Sequence, residues 1–282
     1  MTIDDFEIET GAELLMHTYE TLPDNCKKYW KRRYALFSKF DDGIYMTSEL
    51  WFSVTPEDVA SFTAKLIHEL IPEAEDVLDV CCGGGGNSIQ FANLFRTVGA
   101  IDINQLNLDC TAHNAGIYGV QDNIWLHRGD WNEMATPTIG PLNTSWIPQE
   151  VLDNQIQRGN SKPFDCAFSS PPWGGPQYNE SEFFDLYAME PFSVLHFARQ
   201  LKRYSDNFIM YLPRNSDLDQ LREVTRIVNG DDAKCRILYI QSYGRRVALL
   251  ALWGPQLTSG DIDYSKIFPE DAEESEFSVD TL

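Results

Sequence analysis

The stretch Val77-Leu78-Asp79-Val80-Cys81-Cys82-Gly83-Gly84-Gly85-Gly86-Asn87 constrains this chain more than any other. Its first part is a short apolar run of strand length carrying one carboxylate; its second part is a glycine-rich loop. A helical pattern begins near Asn87. Glycine at a strand-to-helix turn lets a ligand approach the backbone, and the first helical turn offers N–H groups that no carbonyl of the helix takes up. Strand, glycine turn and helix, in that order, open a parallel α/β sheet.

The pattern recurs downstream. Strands are expected at Asp76–Val80, Thr97–Asp102, Ile124–His127, Phe164–Ser169, Asn207–Leu212, Cys235–Gln241 and Ala248–Trp253. Helices are expected at Asn87–Asn93, Gln105–Tyr118, Pro191–Tyr204 and Ser216–Val228. This alternation predicts an α/β fold: a doubly wound, mostly parallel, seven-stranded sheet with helices on both faces, spanning residues 73–256. Residues 1–72 read as a helical extension capping the site. In it Asn25 caps a helix reaching Phe40, Asp41-Asp42-Gly43 turns, and Pro56 opens a helix reaching Leu70. The polar, proline-containing stretch Thr136–Lys162 reads as a long surface insertion, with no function assigned to it. Residues 257–282 read as an acidic, solvated tail.

Composition narrows the function. The six cysteines, at 26, 81, 82, 110, 166 and 235, show no C-x-x-C spacing and no histidine partner pattern, so neither a metal site nor a disulfide framework is expected. A reduced, intracellular protein follows from that usage. The longest clear apolar run, Val247–Trp253, is too short to span a membrane. The acidic start Met1-Thr2-Ile3-Asp4-Asp5 fits neither a secretory signal nor a transit peptide. A net charge of −21 argues against a broad surface that tracks phosphates, so a nucleic-acid enzyme of this charge has to gather its cations locally. Lys27, Lys28, Lys31, Arg32, Arg33 and Lys39 are so gathered, interleaved with Tyr29, Trp30, Tyr34, Phe37 and Phe40.

Three carboxylates stand at or near the ends of three successive strands. Asp79 precedes the loop of Cys81, Gly83 and Asn87 and suits a cationic amino-acid group. Asp102 is placed for two ribose hydroxyls, and Asp130 can accept from an adenine amine while Trp131 covers the ring. A glycine turn by itself serves a dinucleotide equally well; this spacing favours S-adenosylmethionine. Strand-end capping is the alternative reading of the carboxylates.

The second motif is Ser169-Ser170-Pro171-Pro172-Trp173-Gly174-Gly175-Pro176-Gln177-Tyr178, directly after an apolar run. The Ser170 hydroxyl and the Pro171 carbonyl can accept from an NH2 group. Pro172 lacks an N–H and fixes the backbone there, and Trp173 offers a stacking face. Such a set suits methyl transfer to an exocyclic amine; a proline-rich turn with a core tryptophan is the alternative. No histidine is nominated as a base, and His17, His68, His113, His127 and His196 read as structural or surface residues.

The runs Asp79–Asn87, Ile101-Asp102, Ser170–Pro176 and Leu212-Pro213-Arg214-Asn215-Ser216-Asp217, with Tyr34–Gly43 and Trp51–Pro56 upstream, resemble the trimethylguanosine synthase family, in a compact, fungal-like form. The resemblance covers roughly Lys27 to Gly254. It implies a Rossmann-like class I methyltransferase that uses S-adenosylmethionine to place two methyl groups on N2 of the m7G cap of small nuclear and nucleolar RNAs. It also implies the nucleus and nucleolus as location, and small ribonucleoprotein proteins as partners. Lys28, Tyr178 and Arg214 would hold the cap triphosphate, joined by Arg245 or Arg246; a solvated helix face is the other reading of Lys28. Phe37 and Thr55 would line the cofactor pocket, with core packing the other reading of both. A purine methylated at N7 is cationic, so stacking on Trp173 gains about 1–2 kcal/mol when desolvated. The rivals are a methyltransferase for adenine, cytosine or a glutamine amide, an inactive cap-binding scaffold, and an NAD-linked dehydrogenase.

Overall fold

The computed structural model describes residues 13–136, 139–174, 182–242, 244–268 and 277–281. Its amino-terminal part is not the continuous helix expected from Asn25 to Phe40. A 3-10 helix, Lys27–Arg32, runs into the single turn α1 (Arg33–Leu36), and a second 3-10 turn follows at Phe40–Asp42. Asn25 does not cap; the N-cap position is Cys26, which makes no side-chain capping bond. Aromatic packing sets the path instead. Trp30 stacks on Trp51 at 5.7 Å and meets Phe40 edge-on at 5.5 Å, drawing together segments far apart in sequence. The extension closes with α2 (Leu50–Ser53) and α3 (Glu57–Leu70). The acidic first turn of α3, Glu57 and Asp58, complements the helix dipole.

The core strands are β1 (Asp76–Val80), β2 (Thr97–Asp102), β3 (Ile124–Arg128), β4 (Cys166–Ser169), β5 (Phe208–Pro213), β6 (Cys235–Ser242) and β7 (Arg245–Trp253). Strands β1 to β5 pair in parallel, and β7 is antiparallel to both of its neighbours, β5 and β6. The expected seven-stranded sheet is present. An eighth strand, β8 (Phe277–Thr281), adds antiparallel to the edge of β6, giving the order β3-β2-β1-β4-β5-β7-β6-β8. The carboxy-terminal segment is therefore not simply a solvated tail, because main-chain pairing and packing hold its described parts.

Strand side chains alternate between the two faces, as the pleat requires. Val77, Phe168 and Ile209 join the core beneath α3, α4 (Gly86–Ala92) and α5 (Gln105–Tyr118). Leu78, Val80, Phe208 and Met210 join the opposite core. That second core is covered by α6 (Trp131–Met134), α7 (Gln149–Gln157), α8 (Val194–Tyr204) and α9 (Leu218–Asn229). Two short helices, α10 (Pro255–Thr258) and α11 (Tyr264–Ile267), follow β7.

The stretch Thr136–Lys162 is not the surface insertion that its composition suggests. Within Thr136–Lys162 lies α7, with Val151 fully buried and Gln155 2% exposed. The Gln155 amide donates to Asp76 at 2.7 Å and to Asp165 at 3.0 Å. Asn154 donates to Asp76 at 2.8 Å, Arg158 pairs with Asp165 at 2.7 Å, and Arg96 pairs with Asp76. Two buried carboxylates at the start of β1 and just before β4 are thus satisfied largely from the insertion. Gln155→Ala leaves both short of a donor, and is expected to cost about 2 kcal/mol in urea unfolding. An unchanged midpoint and slope would show that the Gln155 bonds do not support the fold.

Asp79, next to last in β1, has no solvent exposure, and the Ser88 hydroxyl donates to it at 2.5 Å. Burial pushes its carboxyl up to about 7. The unfolded chain releases that proton near pH 4, whereas the folded chain keeps it to about pH 7, so the contribution of Asp79 to stability declines as pH rises between those values. Asp79→Asn stays neutral throughout. Without cofactor, its melting temperature relative to the native protein should climb from about pH 5 to about pH 8; parallel curves would contradict the assignment.

Candidate active site

A cavity of about 810 Å³ opens at the carboxyl ends of the central strands, where the strand order reverses between β1 and β4. Ligands collect at such reversals because neighbouring loops leave in opposite directions.

One wall is the glycine loop. Cys81 takes a left-handed conformation, φ 64°, followed by Gly83 at 56° and Gly85 at 85°. Extension residues lie directly on this loop. A Cβ on Gly84 would stand 2.9 Å from Leu50, and one on Gly86 would stand 3.2 Å from Val54 and 3.3 Å from the Thr55 carbonyl. The backbone there leaves no room for a side chain. Asp102, at the end of β2, accepts from the Gly83 N–H at 2.9 Å, from Asn104 N–H at 2.8 Å and from Asn107 at 3.3 Å, and lines the cavity. Asp130 also lines it, while accepting from the Asn132 N–H at 2.8 Å as the cap of α6. Trp131 reaches the wall with 3% exposure, its ring packed on Tyr204 at 5.1 Å. Asn87 is in the wall as well. Its amide donates to the Thr55 hydroxyl at 3.0 Å, and its buried Oδ1 meets no donor among the described residues.

Two expected cofactor residues are not in the wall. Asp79 stands behind the loop, bonded to Ser88. Phe37, just past the end of α1, is 2% exposed and packs toward Tyr118 at 6.3 Å, while its neighbour Leu36 lines the cavity. Core packing accounts for Phe37.

The other wall follows β4. The Ser169 hydroxyl donates to the Val80 carbonyl at 2.8 Å, tying the ends of β4 and β1 together. Ser170, Pro171, Pro172 and Trp173 come next, all in the wall. The Trp173 indole N–H donates to the Tyr211 carbonyl on β5 at 3.2 Å, and the two rings lie 5.4 Å apart, tilted by 39°. The half-buried indole is thus held by its edge. Arg214 follows β5, and Arg245 and Arg246 begin β7; all three are exposed in the wall, with Arg246 3.8 Å over the Tyr239 ring. Lys28 is absent from the wall, and its ammonium stands 4.9 Å over the Tyr29 ring. Tyr178 lies outside the described residues.

Sequence reasoning missed Arg32, Phe52, Val54 and Phe192 as wall residues. Val54 sits inside the Trp51–Pro56 run, so its neighbourhood was marked. Phe192 stacks on Phe197 at 4.9 Å in a stretch with no local motif, and only the folded chain brings it to the cavity.

These residues fit an S-adenosylmethionine molecule. Glycine backbone without side chains, a buried unpaired amide oxygen on Asn87 and a strand-end carboxylate on Asp102 match a chain carboxylate and ammonium together with a ribose diol. Comparison with known proteins agrees. A family model described as RNA cap guanine-N2 methyltransferase matches residues 74–256. The trimethylguanosine synthase of Saccharomyces cerevisiae is 44% identical over 229 residues, covering 80% of this chain and 67% of that protein. Its namesake from Schizosaccharomyces pombe is 33% identical over 209 residues, covering 74% of this chain and 79% of that protein. A solved structure from Porphyromonas gingivalis W83, described as a methyltransferase, superposes with a TM-score of 0.54 at 13% identity, covering 85% of this chain and 50% of that one. At that identity the likeness is one of fold. S-adenosylmethionine is the methyl donor, and the match across most of the core makes the conclusion plain: this chain belongs to the RNA cap guanine-N2 methyltransferase family.

Proposed function

We propose that this enzyme methylates the exocyclic N2 of the m7G cap twice, producing the 2,2,7-trimethylguanosine cap of small nuclear and nucleolar RNAs, in the nucleus and nucleolus, where small ribonucleoprotein proteins would meet it. The observation that carries the reading is the anchored Trp173, which shares one cavity with the glycine loop and Asn87. S-adenosylmethionine, when bound, supplies an electrophilic methyl group on a sulfonium.

The chain's own residues would then divide the remaining work. Trp173 takes the cationic purine on its face. Ser170 and the Pro171 carbonyl accept from the N2 protons and hold the nitrogen lone pair toward the donor. Leu50, Phe52 and Val54 of the extension wall off the loop and keep water from a site where positive charge is lost during transfer. The N2 proton leaves to solvent after transfer, which needs no strong base. Thr55, through Asn87, and Cys81, Gly83, Asp102 and Asp130 would hold the donor. Asp79 would act from behind the loop, as a support rather than a contact. Arg214 and Arg245 would meet the triphosphate, with Lys28 and Tyr178 assigned to it by resemblance alone.

Purified protein with S-adenosylmethionine should methylate m7GTP and leave GTP unchanged. Trp173→Ala should lower m7GTP turnover by about tenfold to a hundredfold, the worth of one lost stacked base, while affinity for S-adenosylhomocysteine is kept. Labelling of adenine-containing nucleic acid without labelling of m7GTP would overturn the cap assignment.

A further inference from the structure

The cation that the extension contributes to the cavity wall is Arg32, not Lys28. Helix type explains the difference. Lys27–Arg32 is a 3-10 helix, in which residues three apart eclipse one another. Lys27 and Trp30 share the face that meets rings of the extension: the Lys27 ammonium stands 5.7 Å over Tyr19, and Trp30 stacks on Trp51. Lys28 and Lys31 share an exposed face outside the cavity. Tyr29 and Arg32 share the third face, and both line the cavity. Arg32 is exposed, and its guanidinium makes no hydrogen bond or close ion pair among the described residues; its charge acts on Asp58 at the start of α3. In a chain of net charge −21, an arginine held without a close partner in the wall of a ligand cavity, alongside Arg214, Arg245 and Arg246, suits an anion.

We propose that Arg32 is a further substrate-binding residue that holds a phosphate group of the capped RNA. A guanidinium can grip two phosphate oxygens at once, which a lysine at the same place cannot do. Two sources present that chemistry: the triphosphate bridge of the cap, and the first phosphates of the RNA chain. The inference rests on the cap reading above and deepens it.

The test is calorimetric binding of 7-methylguanosine, m7GTP and a short m7G-capped oligonucleotide to the full chain and to its Arg32→Ala variant. Affinity for the nucleoside should be unchanged, since it carries no phosphate. If Arg32 meets the bridge, m7GTP and the oligonucleotide both weaken about tenfold; if it meets the RNA chain, only the oligonucleotide does. Either pattern supports the proposal. Unchanged affinity for both phosphate-bearing ligands overturns it, as does an equal loss for the nucleoside, which would mark a structural role. Failure of the native chain to bind m7GTP would instead sink the cap reading beneath it.

Discussion

Leu50, Val54 and Thr55 lie so close to the glycine loop that a Cβ on Gly83, Gly84 or Gly86 would stand 2.9 to 3.3 Å from them. That contact makes one body of the sheet and the extension. Hydrogen bonds reinforce it through Asn114 of α5, which accepts from the Tyr45 N–H at 2.8 Å and donates at 2.9 Å to the carbonyls of both Tyr45 and Gly84. Glu57 accepts from Ser38 and Tyr118, and His113 stacks on Tyr45 at 3.5 Å. The loop therefore needs glycine for two reasons: a ligand approaches from one direction, and the extension already occupies another. A site whose roof and floor are packed this way is shaped before any ligand arrives, which lowers the ordering cost of binding.

Charge is distributed to match. Asp102 at the end of β2 and Asp130 just after β3 line the cavity, while Asp79 of β1 stands behind the glycine loop on Ser88. Arginines line the cavity after β5, at the start of β7 and on the extension. An acidic protein can bind a cationic donor and a cationic purine through its own character, but the phosphates joined to that purine have to be met by cations set one by one. Guanidinium groups on separate elements stand in the cavity wall, where under the proposed reading they would meet those phosphates.

The sheet was legible because its strands carry short, mostly apolar runs bounded by turns, and because β1 to β5 alternate with helices. Three features were not. The segment from Asn25 to Phe40 carries residues that suit a helix, yet its course is decided by Trp51, which lies well downstream. The insertion presents mostly polar residues, and one of its buried contacts is a glutamine facing carboxylates, which composition reads as solvent exposure. The final strand pairs through its backbone, which leaves a weak trace in side-chain pattern. At the site, local motifs marked Cys81, Gly83, Asn87, Asp102, Asp130 and Ser170 to Trp173, all of which line the cavity. Phe192 escaped because its position depends on packing, and Arg32 was visible only as one of a run of cations, because helix register decides which of them reaches the cavity.

The most direct measurement is a crystal structure of the ternary complex with S-adenosylhomocysteine and m7GTP. The methylated purine should lie flat on Trp173, with its N2 between Ser170 and the sulfur of the cofactor, and the cofactor's amino-acid end should lie beside Asn87 and the glycine loop. A purine seated away from the indole, or a cofactor lying outside the loop that Leu50 and Val54 cover, would contradict that arrangement.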